Sequence, residues 1–323
     1  MNAKLALAVF SMVFISGCVG GFPGFRFGSA GTTIEAPDDV LLIKNAQVVP
    51  TPPIQARSTF DLTFLVENTG DAETGKEAEN VTVYGYDWGR CHNTTPASNP
   101  GLVGIPGQPT TIYPGGGASL IEWTFQAPSN DELGRVQGVC TIRYKVGYDF
   151  TAFTVTDLSI IDEDRLREAN RAGETITVTP VTSKSKGPLK IAIDVGADQP
   201  ARESTSTNPS VVPINIRIDD RGAGFIEGRG IGAGKLKVEF PPDFEGKVNC
   251  DSNSWNNPTS RTPTNKNVLP FIKKQTPPLR CDITAPDVAD LKTFAIRAEM
   301  DYRYELFDET DVEIQPTVVS VSG

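Results

Sequence analysis

The chain reads as an all-β protein: two tandem immunoglobulin-like β-sandwiches after a signal peptide. Three observations predict this. From Val40 onward, short segments of alternating apolar and polar residues recur between Gly, Pro and Asn turns, the pattern of half-buried antiparallel strands. The second half then repeats the order of strands and turns of the first, as two copies of one unit do. Finally, an apolar run near the N-terminus ends in Ile15-Ser16-Gly17-Cys18. About 300 residues follow it, room for two ordinary domains.

The apolar run follows Lys4 and carries no charge over residues 5–15. It has signal-peptide length and is too short to span a bilayer as a helix. The quartet at its end resembles a lipobox, where a secretory lipoprotein is cleaved so that a cysteine becomes the first mature residue. That resemblance implies a leader over residues 1–17 and a lipid on the Cys18 thiol. Two acyl chains there would fix the protein stably to the outer face of a membrane, at the cell surface. The other readings are an ordinary secretory leader with an unused cysteine and an uncleaved anchor. Residues 18–32 are glycine-rich, with Phe22, Phe25 and Phe27 interleaved, and read as a flexible tether. The phenylalanines either dip into the membrane or pack on the first domain.

Residues 33–160 form the first expected sandwich. Residues 40–43 start a strand, and residues 60–66 alternate before the turn Asn68-Thr69-Gly70-Asp71. Residues 81–84 follow, then a long loop through Cys91 with Pro96, Pro100, Pro106 and Pro109. Residues 119–125, 139–148 and 153–160 complete the set. Residues 161–186 read as a connector. Asp162, Glu163 and Asp164 open a segment of helix-forming composition that Gly173 stops, the charge order that suits a helix dipole. Asp162 and Asp164 are either dipole partners or calcium ligands. Gly187-Pro188 then leads into the second sandwich, residues 187–317, with 318–323 as a tail.

The repeat is specific. Leu62 to Gly70 aligns without gaps on Ile214 to Gly222, and Val81-Thr82-Val83 falls on Leu236-Lys237-Val238. Gln126-Ala127-Pro128 falls on Thr284-Ala285-Pro286. Ile142, Tyr148, Phe153, Asp157 and Ile160 match Ile296, Tyr302, Phe307, Asp311 and Ile314 at one constant offset. Within the first copy, Phe64-Leu65-Val66-Glu67-Asn68-Thr69-Gly70 is followed by Ala78-Glu79-Asn80-Val81-Thr82-Val83. This resembles the "V-x-N-x-G … A-x-N-V-x-V" core of CARDB-like, cell-adhesion-related immunoglobulin-type domains. The layout as a whole is similar to archaeal surface lipoproteins. In the second copy Asp220-Arg221-Gly222 replaces Asn-Thr-Gly. The resemblance implies display or adhesion rather than catalysis.

Besides Cys18 the chain has Cys91, Cys140, Cys250 and Cys281. An even number in an exported chain reads as disulfides, and of the three pairings spacing favours Cys91–Cys140 and Cys250–Cys281. Without a CxxC, and with His92 the single histidine, zinc is a poor fit. The net charge of −10 argues against nucleic acid, whose affinity comes from Lys and Arg on phosphate. His92 would have to serve any catalytic triad, yet it adjoins a cysteine expected in a disulfide. The glycine-rich run from Gly228 to Lys235 departs from a phosphate loop, with Arg229 at its first glycine and a strand after the lysine.

Turn acids are the remaining chemistry. Asp219, Asp220, Asp308 and Asp311 are weak calcium candidates, and Asp219-Asp220 and Asp308-Glu309 are the acid pairs available to a hydrolase. Asn80 and Asn93 begin glycosylation sequons. Trp123 reads as core. Trp88 and Trp255, each near a cysteine, either stack on a sugar or pack on the local disulfide. The expectation is a non-catalytic, lipid-anchored extracytoplasmic protein without cofactor, binding a protein or polysaccharide at the envelope. One rival is a filament subunit that adds a segment such as residues 310–322 to a neighbour's sheet. The other is a carbohydrate-active or calcium-dependent hydrolase.

Overall fold

A computed structural model describes residues 38–70, 79–93 and 117–317. Cys18, the tether and residues 318–323 lie outside the described residues. The described chain is an all-β sandwich with one α-helix. Ten strands carry it: β1 (Leu41–Val49), β2 (Thr59–Asn68), β3 (Glu79–Asp87), β4 (Ala118–Gln126) and β5 (Gly138–Ile161), then β6 (Leu189–Val195), β7 (Val211–Asp220), β8 (Leu236–Glu239), β9 (Leu279–Thr284) and β10 (Leu291–Gln315). The helix α1 (Glu163–Ala172) lies between β5 and β6.

Two small sheets have the same order. One is β1-β2-β4 edged by His92–Asn93; the other is β6-β7-β9 edged by Val248–Cys250. The registers correspond as well. Thr59 faces Gln126 in the first and Val211 faces Thr284 in the second, while Leu41 faces Asn68 and Leu189 faces Asp220. These are the positions that the repeat equates for β2/β7 and β4/β9. For β3 and β8 the equation slips. Val83 pairs with Val146, but it is Leu236, not Val238, that pairs with Met300, the counterpart of Val146. Alternation has a period of two, so a two-residue slip keeps every side chain on its face and leaves no trace in the pattern.

The larger departure is in β5 and β10. Each was expected as two strands within its own sandwich; instead each is a single strand, and they pair antiparallel along their whole length. Ile142 faces Thr310, and its counterpart Ile296 faces Thr156, the counterpart of Thr310. The ladder is therefore symmetric about a local two-fold axis through the pair Asp149 and Arg303, which are also counterparts. Both small sheets lie on this long sheet. Phe64 of β2 stacks on Tyr144 of β5 at 4.4 Å, and Thr154 farther along β5 donates to the Ile191 carbonyl of β6 at 2.8 Å. Expected boundaries at 160 and 187 thus do not separate two bodies: residues Pro37–Gly323 form one compact unit. The connector residues contain α1, yet the two halves are joined mainly through backbone hydrogen bonds of one sheet.

The core follows from the alternation. On β2, Phe60, Leu62, Phe64 and Val66 are buried, and Val212, Ile214, Ile216 and Ile218 match them on β7. Burying each such side chain contributes about 1.5–3 kcal/mol relative to exposure. The turn motif also repeats in three dimensions. Gly70 N–H donates to Asn68 Oδ1 at 2.7 Å, and Gly222 N–H donates to Asp220 Oδ1 at 3.0 Å. The next anchor matches too: Thr69 N–H donates to the Val40 carbonyl and Arg221 N–H to the Pro188 carbonyl, at 2.8 and 2.7 Å.

Both disulfides join cysteines within one half. Cys91–Cys140 ties the edge of the first small sheet to β5, with Cα atoms 5.8 Å apart. Cys250–Cys281 links directly opposed residues of neighbouring strands, Cα atoms 3.9 Å apart. Two disulfides fit an oxidising, extracytoplasmic setting. Among the described residues, no helix is long and apolar enough to cross a membrane.

Candidate functional site

The waist, where the two-fold axis meets the long sheet, gathers the unusual side chains. Asp39 docks there: its Oδ2 accepts from the Ala223 amide at 2.9 Å, while Asp38 N–H donates to the Arg221 carbonyl. Asp220 Oδ1 accepts from the Tyr304 hydroxyl at 3.0 Å. Asp39 Oδ1 is buried without a hydrogen-bond partner. Burial is the main reason that both carboxyls hold their protons more tightly than usual, and on Asp39 the nearby Asp220 charge adds to it. The same burial pushes the hydroxyls of Tyr148, Tyr302 and Tyr304 up. Gly222 fits because a Cβ there would stand 2.5 Å from both Asp39 Oδ1 and Pro188.

Beside this buried cluster opens a cleft of about 590 Å³. Its walls include Phe225, Phe271 and Phe307, with Glu227, Lys274 and Glu305 among them and Asp220 also lining it. Phe225–Ile226 adds to β10 opposite Glu305 and Tyr304, which fixes that wall. The rings of Phe225 and Phe307 stand edge to face, centroids 5.7 Å apart, and Tyr86 meets Phe307 in the same way at 6.2 Å. Phe225 is 63 % exposed and Phe307 and Tyr86 are each 42 % exposed. Clustered large aromatics open to solvent mark a contact surface more often than a lone exposed residue does. Next to them Lys145 Nζ sits 4.4 Å from the centre of the Tyr84 ring and 2.6 Å from Glu305, which also accepts from the Tyr84 hydroxyl.

Two strained backbone tips hold charged groups at the rim. Arg229 has φ 59°. Lys273 and Lys274, with φ 52° and 66°, form a two-residue hairpin loop closed by Ile272 and Gln275. Such loops favour Asn-Gly, since both residues need positive φ. Lysine at these positions costs stability, yet Lys274 Nζ thereby reaches the Gly222 carbonyl at 2.7 Å.

Comparison with known proteins adds little. No family model matches the chain, and no curated protein matches it. Among solved structures, a mutant of the CFA/I enterotoxigenic E. coli adhesin CfaE is similar at 12 % identity with a TM-score of 0.16, covering 88 % of this chain and 86 % of that one. A score that low carries no argument about architecture or ligand.

Of the residues singled out in the sequence, Asp220 lines the cleft, and the others are dispersed and engaged elsewhere. Asp219 pairs with Arg217 at 2.9 Å, on the opposite face of β7 from Asp220. Asp308 accepts from the Tyr144 hydroxyl at 3.2 Å and Asp311 from Thr141 at 2.6 Å, both across the β5–β10 ladder. Among the described residues, no three His, Cys, Asp or Glu are placed to share a metal ion. Asp162 caps α1, accepting from Arg165 N–H at 2.8 Å, and Asp164 pairs with Arg167; both serve the helix. His92 is exposed beside Glu132 at 3.2 Å. Asn80 lies in β3 and Asn93 in the edge strand, their side chains outside what is described.

The tryptophans are not a sugar platform. Trp255 is buried and Trp88 packs on Phe125 at 5.5 Å. Among the described residues, the large exposed aromatics are instead Phe225, Tyr86 and Phe307. Sequence reasoning missed them because Phe225 directly follows the turn Gly222-Ala223-Gly224 and Phe307 alternates like any strand residue. Residues 310–315, offered as a donor strand, belong to β10 and are already paired with β5 and with Ile54–Gln55.

Proposed function

We propose that the chain is a non-catalytic surface protein, anchored through a lipid on Cys18, that binds a partner of the cell envelope at the waist cleft. The observation that carries this reading is the exposed edge-to-face cluster of Phe225, Phe307 and Tyr86 beside a cleft walled by charged groups. The two disulfides support an extracytoplasmic setting. The engagement of Asp219 by Arg217 and of Asp220 by Tyr304 supports binding over hydrolysis, because neither carboxylate faces the other across an open cleft. The pairing of residues 310–315 of β10 with β5 and with Ile54–Gln55 speaks for display over assembly by strand donation.

The test uses the compact unit, residues Pro37–Gly323, labelled and applied to washed cell envelopes. Saturable binding is expected, weakened at least fivefold by Phe225→Ala together with Phe307→Ala. Absence of saturable binding, or binding indifferent to both substitutions, would overturn the reading. In the full chain, Cys18→Ser should release the protein from the membrane fraction.

A further inference from the structure

We infer that the waist cleft is a binding site for a neutral glycan segment, which rests on the reading of the chain as an envelope-binding protein and names the partner's chemistry. The walls decide between classes of occupant. An aromatic face is electron-rich, and the C–H groups on one face of a pyranose ring are polarised to meet it. Phe225 and Phe307 offer two such faces, 72° apart, so successive sugar rings can each find one. The volume of about 590 Å³ lies within the range of roughly 300–1,000 Å³ typical of ligand clefts.

The charged groups exclude the other classes. An apolar peptide side chain would desolvate Glu227, Glu305 and Lys274 without returning hydrogen bonds, which is costly. A sugar hydroxyl both donates and accepts, so it satisfies carboxylate and ammonium alike. A polyanion meets Asp220, Glu227 and Glu305 in the cleft and a net charge of −10 overall. A cationic ligand meets Arg229 and Lys274 in the same cleft, where Glu305 is already paired with Lys145, Glu227 with Arg303 and Asp220 with the Tyr304 hydroxyl. Mixed charge beside exposed rings leaves a neutral polyol as the complementary partner.

The backbone supplies a second, independent sign. Lys274 and Arg229 both line the cleft with positive φ, 66° and 59°. Non-glycine residues are held this way at a cost, and such strain concentrates at binding sites. The two strained tips place one cation each at the rim, where Phe225 and Phe271 form the walls.

The test is calorimetric titration of the Pro37–Gly323 unit with neutral gluco-, manno- and galacto-oligosaccharides of several lengths, with a polyuronate and a Lys-rich peptide as controls. At least one neutral series should bind, with affinity rising with chain length. Phe225→Ala and Phe307→Ala should each weaken it at least fivefold, the circular dichroism spectrum and melting midpoint showing the fold intact. Lys274→Gly, which relieves the positive φ but removes the hydrogen bond to the Gly222 carbonyl, should weaken binding while the circular dichroism spectrum shows the fold intact. Glycan binding untouched by the phenylalanine variants places the site elsewhere and overturns the inference. No neutral oligosaccharide bound, with envelope binding still sensitive to Phe225, overturns the glycan and leaves the surface function standing. Preference for the polyuronate or the peptide also overturns it. Loss of envelope binding altogether removes both.

Discussion

Burial raises the proton affinity of Asp39 and Asp220 above that of an ordinary carboxylate, and desolvation is the first cause for each. Since the folded pKa is raised, proton uptake favours the fold. That contribution is fully present below the ordinary value of about 3.9 and is lost as pH rises through the raised value. At neutral pH the fold therefore carries charge it would be more stable without. Asp39→Asn keeps an acceptor for the Ala223 amide and removes the charge. Its melting midpoint should exceed that of the wild type at pH 7, with the gap closing toward pH 4 and below. An equal gap at both pH values, or a less stable variant at pH 7, would show that the charge is not what matters. Nothing in the sequence singles out Asp39, which lies ahead of the first strand. Asp220 was legible, but only as a turn acid, because its partner Tyr304 comes from the far end of the chain.

Secondary-structure elements were legible where alternation is local, and misread where pairing is not. The residues of β2, β4, β7 and β9 alternate, and the repeat equates their registers correctly. The expected strands 139–148 and 153–160 leave residues 149–152 for a turn, yet β5 runs straight through them. Arg303 lies over Gly147 in this stretch; a Cβ there would stand 3.0 Å from the guanidinium. One signal was present in the chain. Tyr144, Val146, Tyr148, Phe150 and Ala152 are buried in unbroken phase across the supposed turn, and a true turn would usually reset that phase. The disulfides act at this same scale. Removing Cys91–Cys140 frees a loop whose ends are 49 residues apart, for a loss of about 4 kcal/mol in the chain-entropy model. Chemical denaturation of the Cys91→Ala, Cys140→Ala double variant should show a loss of that size. A change under about 1 kcal/mol would mean that the unfolded chain is already restrained.

For the molecule as a whole, the symmetric β5–β10 ladder means that neither half is complete alone. A fragment covering residues 37–186 keeps β5 but loses β10, leaving the edge that β10 occupies unpaired, and unpaired edges recruit other strands. Separately produced fragments 37–186 and 187–323 should therefore self-associate or precipitate singly and form a one-to-one complex when refolded together. Light scattering after size exclusion would show this, and a well-folded monomeric half would refute it. The waist also bears on force. The described chain enters the fold at Asp38 and Asp39, held to Arg221 and Ala223, and Phe225 of the cleft wall stands two residues beyond Ala223. A tug between an occupant of the cleft and the chain preceding Asp38 thus passes through a handful of adjacent residues. Tension on that route would load the contacts of Asp38 and Asp39 with Arg221 and Ala223 before it reached the pairing of Phe225–Ile226 with β10, so the first bonds to part would be those at the entry of the chain.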